Sequence, residues 1–348
     1  MRRLLLITLY LITIFPAIGQ DLTAEFEIIL PEHKVHNSLY NKIKFIDSRD
    51  DVTNFGSLLM VVRKPFGIQT NLRQGNKYPA TVIITVPLAT QFGNVLTALI
   101  DSTAQNATLY FQLRELAFAE STAFAGNRGY FYFKAGMYAR SQGGYQKIKI
   151  IDSVVSIKST DLMEDLVQAS SKVIANFISA NLTASPTDST NYTASEIANI
   201  DNIEKSKLPL YNTTRYRDGL YATFSSFSNQ TPDAQISVEM KKDRIVSVTR
   251  ENLNGKKENI WSKDVYAIVN KGIPYIAIQN NYFKINKDGS DFYFILEGKL
   301  YISPVDIFSS GSFFGLMIRI RQGRTYMMKI DHSSGGFKQV KEIDEIAQ

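Results

Sequence analysis

The chain has 348 residues, 39 Lys and Arg against 33 Asp and Glu, and no cysteine. Without cysteine there are no disulfides, no thiolate metal ligands, no cysteine nucleophile and no lipid-bearing cysteine. The formal charge of +6 falls to near +4 without Arg2 and Arg3. The basic residues are interspersed with acids, which excludes the concentrated patch that nucleic-acid binding needs.

Arg2 and Arg3 precede an apolar run at residues 4–15, then Pro16 and the small residues Ala17 and Gly19. That order is a cleavable signal peptide over residues 1–19. The run is too short for a spanning helix, which takes about 20 apolar residues. The expected address is the periplasm or the cell surface, with no transmembrane span after cleavage and no lipid anchor. The absence of disulfides points to a bacterial exporter, because secreted animal domains of this size usually carry them.

Residues 20–180 read as an α+β domain, an antiparallel sheet backed by two helices. Strands are expected at Glu25–Leu30, Lys42–Asp47, Leu58–Arg63 and Thr81–Val86. After Pro87, the spacing of Phe92, Val95, Leu96, Leu99 and Ile100 predicts a helix. In Leu109–Phe118 the alternation slips phase: Leu109, Phe111 and Leu113 share one face, whereas Leu116 and Phe118 fit the other. A β-bulge near Arg114-Glu115 accounts for that. Gly129–Ala139 and Tyr145–Lys158 form a hairpin through Ser141–Gly144. Asp161 to Ala180 is an amphipathic helix, with Asp161 and Glu164 spaced as a capping box.

Residues 181–209 are rich in Ser, Thr and Asn and read as a linker. Residues 210–348 read as an all-β antiparallel meander, closed as a barrel or folded as a sandwich. Turn dipeptides (Asn254-Gly255, Lys271-Gly272, Asp288-Gly289, Gln322-Gly323, Gly335-Gly336) punctuate short alternating runs, among them Tyr275–Gln279, Phe292–Leu296, Gly315–Arg321 and Tyr326–Ile330. Thr223–Phe227 looks briefly helical.

Candidate chemistry is sparse. His33 and His36 lie three apart in a loop or strand, where they diverge and do not make a metal site. Asp331-His332-Ser333 has the residue types of a hydrolase triad, but adjacent residues cannot converge on one atom. With Gly335-Gly336 behind them they read as a hairpin turn. The Asp47, Asp50, Asp51 and Asp161, Glu164, Asp165 clusters suit a solvated turn and a helix start. No phosphate loop, dinucleotide fingerprint or calcium loop is present, so no cofactor or metal is expected.

Aromatic residues supply the one binding-type candidate. Tyr130, Tyr132 and Tyr138 share the polar face of one strand, and Tyr275 and Tyr282 accompany the single Trp261. Such rings can stack on sugars. The competing reading is a sheet face covered by protein, with tyrosines at the layer boundary.

The run Asn41–Arg49, followed by Asn54-Phe55-Gly56, resembles the strand-Asp-x-Arg opening of bacterial envelope accessory lipoproteins. Those proteins continue with a helix, two long paired strands and a final helix, a layout similar to residues 25–180 here. The family's lipid-bearing cysteine is absent. Tyr221–Phe227, with Asn229 and Pro232, resembles a segment of uncharacterised secreted proteins of Gram-negative bacteria. The resemblance implies a compartment and no activity. The sequence therefore leads us to expect a non-catalytic envelope protein with a structural or binding role and a protein or glycan partner. The alternatives are a carbohydrate-active or other hydrolase using unrecognised carboxylates, and a subunit of an envelope assembly.

Overall fold

The computed structural model describes residues 22–61, 77–123, 126–159, 161–186, 189–252, 254–278, 281–297 and 325–343. The signal segment 1–19, the strand expected at Gly315–Arg321 and the Gln322-Gly323 turn lie outside them. The first half comprises β1 (Leu22–Glu25), β2 (Lys42–Asp47), β3 (Gly56–Val61), β4 (Lys77–Ile83), α1 (Leu88–Leu99), β5 (Thr108–Ala123), β6 (Gly126–Ser141), β7 (Gly144–Lys158), α2 (Leu162–Ser179) and β8 (Asn191–Tyr192). Their sheet runs β1-β4-β3-β5-β6-β7-β8, with β2 also paired to β5.

This sheet is mainly antiparallel, as expected, but it also holds parallel pairings, so it is mixed. β1 with β4, β2 with β5, and β3 with β5 are parallel. Parallel neighbours need a long crossover. Here β3, β4 and α1 intervene between β2 and β5 in the chain.

One face of the sheet is apolar and lies under both helices. Phe92, Val95, Leu96 and Leu99 of α1 pack with Leu166, Ile174 and Phe177 of α2 over β5 and β6. Phe92 stands 4.4 Å from Phe111 between ring centroids, and Phe111 stands 6.4 Å from Phe133. The expected bulge falls between Leu113 and Glu115. It keeps Leu113 and Leu116 both under the helices. The Asp161 side chain makes no cap hydrogen bond, so no capping box forms at α2. Ser159 instead donates to Asp165 in the first turn.

The stretch read as a linker contains regular structure. α3 (Ala194–Ala198), α4 (Ile200–Ser206) and α5 (Pro209–Asn212) follow one another. Thr193 and Glu196 form a reciprocal capping box at α3. Ile197 and Ile200 are buried against Tyr110, Tyr138 and Tyr192. The Ser, Thr and Asn content here serves helix ends and turns, and the isoleucines at near-helical spacing were the countervailing signal.

The remainder adds β9 (Gly219–Tyr221), α6 (Phe224–Ser228), β10 (Ser237–Lys241), β11 (Arg244–Glu251), β12 (Lys257–Asn259), β13 (Ala267–Asn270), β14 (Ile273–Ile278), β15 (Asn281–Lys284), β16 (Asn286–Asp288), β17 (Asp291–Glu297), β18 (Thr325–Ile330) and β19 (Phe337–Ile343). They form three antiparallel sheets, β10-β11-β12, β15-β14-β13-β9 and β16-β17-β18-β19. None closes into a barrel among the described residues. The two four-stranded sheets share one core of Tyr221, Tyr266, Ile276, Phe294, Tyr326 and Phe337. Lys271 and Gly272, both at positive φ, make the tight β13–β14 turn that the dipeptide predicts. The fold is thus mixed α+β and mostly strand. No helix among the described residues is long and apolar enough to cross a membrane.

Candidate functional site

The second face of the large sheet is polar, and the rest of the chain covers it. The β5 bulge turns two consecutive charged residues, Arg114 and Glu115, towards that cover. Arg114 is the centre of the first cluster, with only 3% of its side chain exposed. Its Nη2 donates to Asp201 Oδ1 at 2.5 Å and to Glu204 Oε2 at 2.5 Å, and its Nη1 donates to Glu204 Oε1 at 3.1 Å. Asp201 and Glu204 lie three apart on α4 and so share a face. His332 Nε2 stands 2.9 Å from Glu204 Oε2. Burial on its own would raise the Glu204 carboxyl. The hydrogen bonds from His332 and Arg114 outweigh it and bring that carboxyl down to about 2.

Lys134 makes the second cluster. It sits mid-strand among Phe131, Phe133 and Met137 of β6 but points to the opposite face. Its Nζ donates to Ser333 Oγ at 2.5 Å and lies 3.3 Å from Asp331 Oδ2 and 3.6 Å from Asp152 Oδ2. Asp331 also accepts from the Ser333 and Ser334 backbone N–H groups at 2.9 and 3.0 Å. Burial opposes its charge, but Lys134 and the Ser333 hydroxyl prevail and hold the carboxyl far below the usual range.

Lys329 makes the third, bridging Asp50 at 2.7 Å and Asp291 at 3.1 Å. Lys205 reaches Asp291 at 2.6 Å, and Lys338 contacts Glu115. Among the described residues, seven carboxylates face five Lys or Arg cations across the seam. Burial raises Glu115 and Asp152 despite their lysines, whereas the deeply buried Asp331 is held down by Lys134. The space left between these groups, bounded by Asp50, Lys205, Lys329 and His332, is about 20 Å³, room for a water molecule.

Asp201, Glu204 and His332 each offer a ligand atom within 4.8 Å of the others. That donor set suits a divalent ion by type. The Arg114 guanidinium already lies between the two carboxylates and supplies the cation. The geometry is that of an ion-pair lock between a strand, a helix and a hairpin turn.

The tyrosine platform read from the sequence is not assembled. Tyr138 is 1% exposed, donates to Gln112 Oε1 at 3.1 Å and meets Tyr192 edge-on. Tyr132 lies inside the seam, where burial and the Asp331 and Asp152 charges push its hydroxyl well up. Tyr130, on the same face of β6, is half-buried. Tyr275 is 6% exposed in a small core that Tyr282 flanks, and Trp261 stands apart at 60% exposure. The six rings do not gather on one face: Tyr138 and Tyr275 are buried, Tyr130, Tyr132 and Tyr282 are partly buried, and Trp261 lies outside the strands.

Asp331-His332-Ser333 is the β18–β19 turn, as expected, and that turn is inserted into the seam. His332 faces Glu204, with Ser333 directed to Lys134. His36 Nδ1 meets Asp101 at 2.5 Å in an exposed loop. The Asp47-x-Arg49 opening is a local brace. Arg49 donates Nε and Nη2 to Asp47 at 2.9 and 2.7 Å and stacks 4.5 Å above Phe55. The same turn presents Asp50 to Lys329. Arg114, Lys134 and Glu204 are not recognisable as a group in the sequence. Their one local signal is a charged residue at the bulge or mid-strand between apolar neighbours.

No family model matches the sequence, and no curated protein is recognisably similar. Solved structures are similar over part of the chain. One, described as an uncharacterized protein, is 11% identical over 46% of this chain and 98% of its own, with a TM-score of 0.25. A DUF330 protein from Xanthomonas campestris is 9% identical over 46% of this chain and 95% of its own, with a TM-score of 0.29.

Proposed function

We propose that the chain is an exported, non-catalytic protein of the bacterial cell envelope, with a structural or binding role towards a protein or glycan partner. In this reading the α+β unit at 20–180 is the scaffold, 181–209 joins it, and the β-rich unit at 210–348 is clamped on its polar face. The observation that carries the reading is the seam. The side chains able to do acid–base chemistry there are bound to one another, so their charges hold the chain together. The n-, h- and c-region order of residues 1–19 supports the address.

The test is crosslinking in the native envelope followed by affinity capture of the tagged protein, alongside turnover assays on glycan and ester panels. A specific crosslinked partner or glycan, with no turnover, supports the proposal. Turnover that disappears in the Glu204→Gln variant while the fold is retained would overturn it.

A further inference from the structure

Most sheet edges among the described residues carry protection against another strand. β8, β12 and β16 are two or three residues long, and β12 and β16 are wholly polar. β2 carries Lys42, Lys44 and Asp47. β19, seven residues long, is bulged against β18 and carries Lys338, Lys341 and Glu342. These are the usual devices that blunt an edge.

β7 differs. β8 covers it only at Tyr145 and Gln146. Residues 149–158 pair with β6 on one side and have no backbone partner on the other among the described residues. This edge begins beside a bulge at Ile148 and contains no proline. It carries Lys149, Asp152 and Lys158 among Ile150, Ile151, Val154, Val155 and Ile157, of which Ile151, Val155 and Ile157 pack on the chain's own core. A long edge whose backbone groups lack a partner is a strand-pairing site.

The pattern of side chains selects what pairs with it. We propose that the 149–158 edge of β7 is a homodimer interface, in which two copies pair antiparallel about Val154 and continue the sheet from one subunit into the other. Centred there, Ile151 lies opposite the partner's Ile157, Ser153 opposite the partner's Val155, and Asp152 opposite the partner's Ser156. The partner's Lys158 falls opposite Ile150 and diagonal to Asp152, within reach of its carboxylate. No like charges meet. Centring on Asp152 would oppose two aspartates, and centring on Ser153 would set Asp152 against the partner's Val154. Pairing in this phase also keeps both α2 helices on one side of the joined sheet. The inference goes beyond the envelope-binding reading and does not rest on it.

The test uses the full chain produced by export in a Gram-negative host, followed by light scattering and sedimentation across a concentration series. A dimer is expected. Ile150→Lys, in a side chain outside the buried cores, sets lysine against the partner's Lys158 twice per dimer. It should raise the dissociation constant about tenfold. Adding Lys158→Glu to that variant should restore the dimer by reversing the charge, whereas loss of folding would not be restored. A monomer at on the order of 100 μM, where a micromolar interface would be filled, overturns the proposal. So does a dimer indifferent to Ile150→Lys. Envelope capture repeated with a monomeric Ile150→Lys variant reads the binding role separately.

Discussion

Glu204→Gln isolates the charge at the centre of the seam while keeping the side chain's shape. The Glu204 carboxyl drops from its ordinary 4.5 to about 2 in the fold. At about 1.4 kcal/mol per pKa unit, that displacement corresponds to about 3 kcal/mol. The side chain is 30% exposed, and solvent screening reduces the figure to about 2 kcal/mol. Because the folded value lies below the unfolded one, this stability is present in full above about pH 4.5. It is lost as pH falls towards about 2. Urea unfolding at a series of pH values should show the parent about 2 kcal/mol more stable than the variant at neutral pH, with the gap closing on acidification. A gap below about 0.5 kcal/mol at neutral pH, or one that persists unchanged at low pH, would refute the lock as described.

Glu115→Gln should behave with the opposite sign. Burial raises the Glu115 carboxyl despite Lys338, so its ionised form works against the fold. The variant should be at least as stable as the parent at neutral pH, and the difference should vanish below about pH 4.5, the ordinary glutamate value. Gly56→Ala should cost about 3 kcal/mol or more in a thermal melt, because φ is +89° and a Cβ would stand 1.8 Å from the Phe118 carbonyl oxygen. Tyr138→Phe should cost about 1 kcal/mol through the lost bond to Gln112. Trp261→Ala should stay within about 0.5 kcal/mol, since that residue is mostly exposed. Equal losses for Tyr138→Phe and Trp261→Ala would contradict the buried-face assignment.

Local periodicity by itself determined much of the scaffold. The alternation in β6 and β7, the helical spacing in α1 and α2, and the phase slip at Arg114-Glu115 each specify an element and the face it buries. Short-range geometry is enough for that, since side chains recur every two or 3.6 residues. Three things escaped it: the parallel pairings in the large sheet, the helices at 194–212 and the seam. Arg114 is 90 residues from Glu204 and 218 from His332. Alternation marks a polar face as polar, but it carries no information about what comes to lie against it. A face with Tyr130, Tyr132, Tyr138 and Lys134 looks the same in sequence whether it meets solvent, a sugar or the chain's own hairpin. Only the tertiary structure decided between them, because the charges that neutralise Arg114 and Lys134 lie largely on elements that folding alone brings near.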